Sequence, residues 1–436
     1  MESVLDDNRL PPAYLSWLVW GLGAIFYLTG FYHRVAPAVM TDQLMAEFNI
    51  GAAALGNFSA FYFYSYVAMQ IPTGILADRW GPRKLLITGS LVATLGTFIF
   101  GLAPTILLAN LGRLLIGGAA GIAYVTVLRI QIQWLPAKRF AMASGLTFLC
   151  GVAGAVSAGV PLRILLNHFG WRPVILISAA ATLAIAVAIW RIVSSDPADK
   201  GYASYAPPIG KGLDSSLKNP MAGLKTVLRY RNTWLLALAP SGLTGSVLTF
   251  SGLWGVPFLT THYGLSPTKS AAIASTLLVT WAIGGIVLGM LSDKLERRKA
   301  PYFTGGLVAV LGWTLAIYIP GWPIWVLVTL LIIVGFSSGA IMIGLSFVKE
   351  SVPTQLAGTA LGVCNMGVMV GPMILPPAIG LMLDRYWQGV MTNGVRIYDL
   401  AAYRAGFGLI IAWCVISVVL VSFTKETRAR QLKQGT

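Results

Sequence analysis

Twelve long apolar runs, separated by short polar breaks, make up most of the chain. They cover 16–39, 52–74, 85–103, 105–130, 140–165, 172–193, 233–259, 270–292, 301–320, 322–347, 355–383 and 404–423. A helix needs about 20 mostly apolar residues to cross a hydrocarbon layer ~30 Å thick. The runs are continuous rather than alternating, which excludes a membrane β-barrel. The pattern predicts an all-α membrane protein with twelve transmembrane helices. One polar stretch, 194–231, is much longer than the rest and holds Pro197, Pro207, Pro208, Gly210, Gly212 and scattered lysines. It reads as a linker, with a short amphipathic piece near Leu217–Val227. The predicted organisation is a six-helix half over 1–193, the linker over 194–231, a second half over 232–424, and a tail over 425–436.

Composition narrows the class. The chain has 436 residues, 56% of them hydrophobic and only 11% charged, with a mean hydropathy of +0.74. A soluble chain of this length has no use for so much apolar surface. The net charge of +16 raises the question of nucleic acid, and its distribution answers it. With the N-terminus inside, 22 Lys and Arg fall in inner loops and tails and 6 in outer loops. That bias predicts both termini in the cytoplasm, in a bacterial inner membrane. The basicity is topology, and no nucleic acid is expected as a partner. Cys150, Cys364 and Cys414 all lie inside apolar runs, without disulfide or metal spacing. Glu2, Asp6 and Asp7 precede the first run, so that run reads as a retained helix rather than a cleaved signal. No cofactor is expected.

Two loops share a pattern. Gly74-Ile-Leu-Ala-Asp78-Arg79-Trp-Gly81-Pro-Arg83-Lys84 has its partner in Gly289-Met-Leu-Ser-Asp293-Lys-Leu-Glu-Arg297-Arg298-Lys299. Asp293 follows Asp78 by 215 positions, and the same offset pairs Phe48-Asn49-Ile50 with Tyr263-Gly264-Leu265. A shared register over that distance marks one half as a copy of the other. The acidic-basic loop resembles the signature loop of the major facilitator superfamily of transporters. The resemblance implies two pseudo-symmetric six-helix halves that rock around a midplane site. It also implies gating latches at Asp78 with Arg79 and Arg83, and at Asp293 with Arg297. Lys349 and Glu350, at the end of the tenth run, read as a further interfacial pair. Arg113-Leu-Leu-Ile-Gly117-Gly118-Ala-Ala-Gly121, the glycines of the fifth run and Gly367, Gly371 and Pro372 of the eleventh resemble the small-residue helices of the same superfamily.

Charges inside the apolar runs carry most of the information about function. An Arg at the centre of a lipid-facing helix costs about 2.5–3.5 kcal/mol or more, so such a residue faces a cavity or a partner. The candidates are Arg34, Arg113 and Arg129, whereas each of the fifteen acids lies near a run end, in a loop or in a tail. The membrane interior is therefore net positive, and an anionic substrate is the simplest source of countercharge. Arg113 reads alternatively as a structural charge braced on backbone carbonyls.

The first helix, His33-Arg34-Val-Ala-Pro37 through Glu47-Phe48, resembles that of the anion:cation symporter branch. That branch includes galactonate-, sialate- and vesicular glutamate-type transporters. Arg34 falls on the branch's substrate Arg, and His33 falls where the branch has a proton-binding Asp. Tyr66-Val-Ala-Met-Gln70-Ile-Pro72-Thr-Gly74 continues the match, and Arg129 falls on a second pathway arginine sixteen residues after Arg113. Pro136 stands where an acid often follows. The carboxylates usual for proton coupling are thus missing, which leaves His33 as the proton-coupling candidate, or exchange of one anion for another. The resemblance implies substrate contacts by Arg34, Arg129, Tyr66 and Gln70. Asn365 is the one strongly polar mid-run side chain of the eleventh helix, and Trp254 the aromatic candidate of the seventh.

These residues predict a secondary transporter for a small organic anion, a carboxylate or sugar acid, moved by proton symport or anion exchange. It is expected to act as a monomer in the lipid bilayer and not as an enzyme, since no paired carboxylates or His/Asp set share one membrane face. The alternatives are export of a neutral or cationic drug-like solute, which wants a buried acid, and a nutrient sensor on a transporter fold, which wants a signalling domain.

Overall fold

The computed structural model describes residues 9–205, 225–319, 321–353, 356–392 and 394–431, and within them the side chains of all but 75, 78 and 141. The centre of the linker, including the piece expected near Leu217–Val227, lies mostly outside the described residues. Eleven helical segments among the described residues are long and apolar enough to cross a membrane. They are Ala13–Val39, Arg79–Leu102, Ile106–Trp134, Ala137–Phe169, Trp171–Ile192, Arg231–Tyr263, Pro267–Lys294, Lys299–Tyr318, Ile324–Glu350, Ala357–Arg385 and Leu400–Ser422. The remaining span of the expected twelve is the first part of the hydrogen-bonded stretch Ala52–Leu102. That stretch is two helices joined at Gly81, whose φ of 77° and ψ of 163° are not helical. A side chain at that φ would be strained, and Pro82 follows it, so the signature loop is a sharp corner. We number the spans one to twelve in chain order, with the second over 52–80.

The third span shows how such a helix divides its surface. Leu91, Leu95, Phe98 and Leu102 recur at helical spacing and are exposed, whereas Ser90, Ala93, Thr97 and Phe100 are buried. The apolar stripe meets lipid, and the small and polar stripe packs inward. The buried hydroxyls bond their own helix: Ser90 donates to the Leu86 carbonyl at 2.7 Å and Thr97 to that of Ala93 at 2.7 Å. Helix starts follow the usual chemistry. Thr105, Ser266 and Asp399 cap the fourth, eighth and twelfth spans through their side-chain oxygens. The seventh span contains a π-helical turn, Phe250–Trp254.

By contacts the chain forms two compact units. One contains residues up to Arg34, Tyr64–Ser157 and His168 onward to the linker; the other contains Val35–Phe63, Ala158–Asn167 and the rest of the chain. In the first unit Gly154 abuts the backbone of Leu28, which joins the fifth span to the first. In the second, Gly367 and Gly371 abut the backbones of Ala237 and Ser241, which joins the eleventh span to the seventh. A Cβ at any of these positions would overlap a carbonyl oxygen. These glycines of the fifth and eleventh runs therefore serve helix packing within one unit.

Candidate functional site

Arg34 is the penultimate residue of the first α-helix, Ala13–Val35, and is 3% exposed. Its guanidinium carbon stands 4.2 Å from the centre of the Phe31 ring and 5.1 Å from that of Tyr66. Phe31 lies three residues earlier on the same helix face, and Tyr66 reaches in from the second span. The cation thus lies within cation–π range of two aromatic rings. Gln70, one turn beyond Tyr66, is half-buried and donates to the Tyr66 carbonyl at a long 3.5 Å.

His33 is also 3% exposed. Its Nε2 lies 3.4 Å from the Thr97 hydroxyl. That hydroxyl already gives its proton to the Ala93 carbonyl, so His33 is the donor and carries its proton on Nε2. The His33 carbonyl in turn accepts from Arg113 Nη1 at 2.5 Å. Arg113, 1% exposed, thereby ties the fourth span to the first directly behind Arg34. The bond is to a backbone carbonyl.

Gly121 of the fourth span faces the backbone of Tyr66, and Ile122 and Val125 pack in one cluster with Leu76, Ala77 and Leu85. Arg129 is half-buried, one turn beyond Val125.

In the second unit, Trp254 is buried within the π turn and donates its indole N–H to the Pro376 carbonyl at 3.1 Å. Its polar edge thus joins the seventh and eleventh spans. Asn365 is half-buried in the helix Ala357–Val368.

The gating candidates divide as well. The Asp78 side chain lies outside the described ones, and Arg79 is exposed. Arg83 donates from Nη2 to the Trp190 carbonyl at 2.9 Å, which fastens the signature loop to the end of the sixth span. Asp293 pairs with Arg298 rather than with the expected Arg297: Arg298 Nη1 lies 2.5 Å from its carboxylate. Arg298 also reaches Glu350 at 2.7 Å through Nη2. Its neighbour Arg297 points to the surface, as does Lys349. The two adjacent arginines are indistinguishable in sequence, and only the turn Lys294–Arg298 decides which one is buried. Burial opposes the charge on Arg298, but the bonds to Glu350 and Asp293 outweigh it and raise its pKa. Glu426 completes this cluster by accepting the backbone N–H groups of Arg298 and Lys299, both at 2.9 Å.

At the other ends of the helices is a cluster that the run pattern does not announce. Asp384, near the end of the eleventh span, accepts the N–H of Ala52 at 3.1 Å and of Ala53 at 2.8 Å. It also accepts from the Tyr398 hydroxyl at 2.7 Å and from Arg396 Nη1 at 3.2 Å. The second span begins Gly51-Ala52-Ala53, without a capping side chain of its own, and Asp384 supplies the cap from a distant part of the chain. The missing local cap was the available clue. Burial, then the bond to Asp384 and its charge, raises the pKa of the Tyr398 hydroxyl, which stays protonated and donating.

A family profile described as Major Facilitator Superfamily matches residues 19–363 and again 249–436. The chain belongs to the Major Facilitator Superfamily. It is a multi-pass membrane transporter with the twelve-helix fold of that family, in two pseudo-symmetric six-helix halves. It is 25% identical over 383 residues to the probable sulfoacetate transporter SauU of Cupriavidus necator, covering 84% of this chain and 87% of that one. It is 23% identical over 410 residues to the probable galactarate/D-glucarate transporter GarP of Escherichia coli K12, covering 87% and 91%. Among solved structures, a bacterial homologue of the human lysosomal transporter Spinster superposes with a TM-score of 0.75 at 18% identity, covering 95% of this chain and 97% of that one. That likeness concerns the fold alone.

Proposed function

We propose that this major facilitator carries a small organic anion, a carboxylate, sulfonate or sugar acid, by alternating access between its two halves, 1–193 and 232–424. The reading rests on one observation: a buried guanidinium, Arg34, within cation–π range of Phe31 and Tyr66. A planar guanidinium fork suits a carboxylate or sulfonate group. The names of the relatives, sulfoacetate and galactarate or D-glucarate transporters, support an anionic cargo. Tyr66 and Gln70 are the neighbouring contacts, and Asn365 is the polar candidate of the second half. Arg129 is the second cationic contact of the anion pathway. Trp254 shapes the seventh span rather than bonding solute.

Coupling is by proton symport through His33 or by exchange of one anion for another. The arginine- and lysine-rich loops set the termini in the cytoplasm of a bacterial inner membrane, and the carrier works as a monomer. Gating falls to the cytoplasmic helix ends, with the Arg298–Glu350–Asp293 cluster as the latch of the second half and Arg83 as that of the first. A thermal-shift screen of the purified protein tests the cargo, using mono- and dicarboxylates, sulfonates, sugar acids and uncharged sugars. Stabilisation by an anion is expected through mass action and should vanish in Arg34→Ala. Stabilisation by uncharged sugars alone would overturn the reading.

A further inference from the structure

Two cavities in the second unit meet at Arg297. The first, about 450 Å³, lies at the base of the ninth and twelfth spans and is lined by Arg297, Lys299, Phe303, Ser422, Glu426 and Arg428. Arg297 and Arg428 are exposed. Lys299 gives one hydrogen to the Thr424 carbonyl at 3.0 Å, and an ammonium has three. The one carboxylate among these lining residues is already engaged. Glu426 accepts N–H groups from Arg298, Lys299, Thr427 and Arg428. These bonds hold its pKa below the usual carboxylate value against the opposing effect of burial. Three cations therefore face one anion that the backbone satisfies.

The second cavity, about 720 Å³, shares Arg297 and Ala300 with the first and is otherwise almost wholly apolar. Leu288, Leu291 and Leu295 form one wall, Val308 another, and Phe336 the third. Gly305, packed against Ser337 and Ala340, lies at its floor. From Ala300 to Val308 the groove follows eight helical residues, about 12 Å. Half of a ~30 Å hydrocarbon layer is about 15 Å. A basic chamber at the membrane surface thus opens into a groove that descends most of one leaflet.

We propose that this paired cavity binds a phospholipid with an anionic headgroup, its phosphate among Arg297, Lys299 and Arg428 and one acyl chain along Leu291, Leu295 and Val308. Basic pockets at helix ends are suited to anionic headgroups. The apolar groove, continuous with the chamber through Arg297, selects a lipid over a free anion. The bound lipid would sit beside Arg298, so it would bear on the same turn that holds Glu350 and Asp293.

Native mass spectrometry of the detergent-purified full chain tests this, with phosphatidylglycerol, phosphatidylcholine and inorganic phosphate added in turn. Phosphatidylglycerol should be retained in preference to phosphatidylcholine. Arg297→Gln and Arg428→Gln should each weaken retention about fivefold, near the surface-charge increment for one basic residue. Val308→Trp, which fills the groove, should also reduce retention while leaving the headgroup cations in place. Stabilisation by the transported solute should be unchanged in all three variants, which separates this site from the Arg34 site and shows that the variants fold. Equal retention of both lipids, retention unaffected by the variants, or displacement of phosphatidylglycerol by equimolar inorganic phosphate would overturn the proposal.

Discussion

The guanidinium carbon of Arg34 lies 4.2 Å from the centre of the Phe31 ring. With Tyr66 beyond, the cation is planar, buried and within reach of two ring faces. A lysine in its place would keep the charge and lose the plane. Arg34→Lys should therefore lower uptake of the anionic solute by tenfold or more in proteoliposomes, a loss of about 1.4 kcal/mol in productive binding. Folding, read by gel filtration and melting, should change little. Wild-type uptake by the Arg34→Lys variant would show that charge alone suffices.

His33 carries its proton on Nε2 towards Thr97 and offers its carbonyl to Arg113. If the ring is the proton carrier, His33→Gln should abolish the dependence of uptake on an imposed pH gradient while anion-for-anion exchange persists. If exchange is the whole mechanism, wild-type uptake should already be indifferent to the gradient. Uptake by the variant that still follows the gradient would remove His33 from the coupling path.

Asp384 caps the second span from the end of the eleventh. Asp384→Ala should leave the Ala53 N–H without its acceptor, while Ala52 keeps the Tyr398 hydroxyl at 3.0 Å, at about 1–3 kcal/mol. The expected result is a lower melting temperature and faster labelling of a cysteine introduced at Ala53. Asp384→Asn, which keeps one acceptor oxygen, should fall between the two. Unchanged labelling in Asp384→Ala would show that the contact does not restrain the helix start.

Glu426 has a pKa below its ordinary value of 4.5 because four backbone N–H groups outweigh its burial. A carboxyl depressed by folding stabilises above its unfolded pKa, and that contribution is lost as pH falls through the folded value. Wild type should therefore melt higher than Glu426→Gln at neutral pH, and the difference should shrink below about pH 4.5. A difference that grows on acidification would contradict the assignment. Because the group is partly exposed, the effect should be modest.

Much of the fold was legible because hydrophobic run length is decisive in a membrane. The run at 172–193 and the helix Trp171–Ile192 agree closely, and the corner at Gly81-Pro82 is where those residues demand one. The side-chain geometry was less legible. Arg298 and Arg297 are chemically identical neighbours, and only the path of the turn buries one of them. Asp384 reads as an interfacial acid until its distant partner at the start of the second span is known. Arg34 and Arg129 both stand out as charges in apolar runs, yet run position says little about depth along a neighbouring helix.

Recognition of negative charge on the cargo by Arg34 is the step on which the proposed transport turns. It is tested most directly by titrating the purified protein with a stabilising acid and with its uncharged amide of the same size. The acid should bind to wild type, the amide should not, and Arg34→Ala should lose the acid. Equal binding of acid and amide, or full binding of the acid by Arg34→Ala, would contradict it.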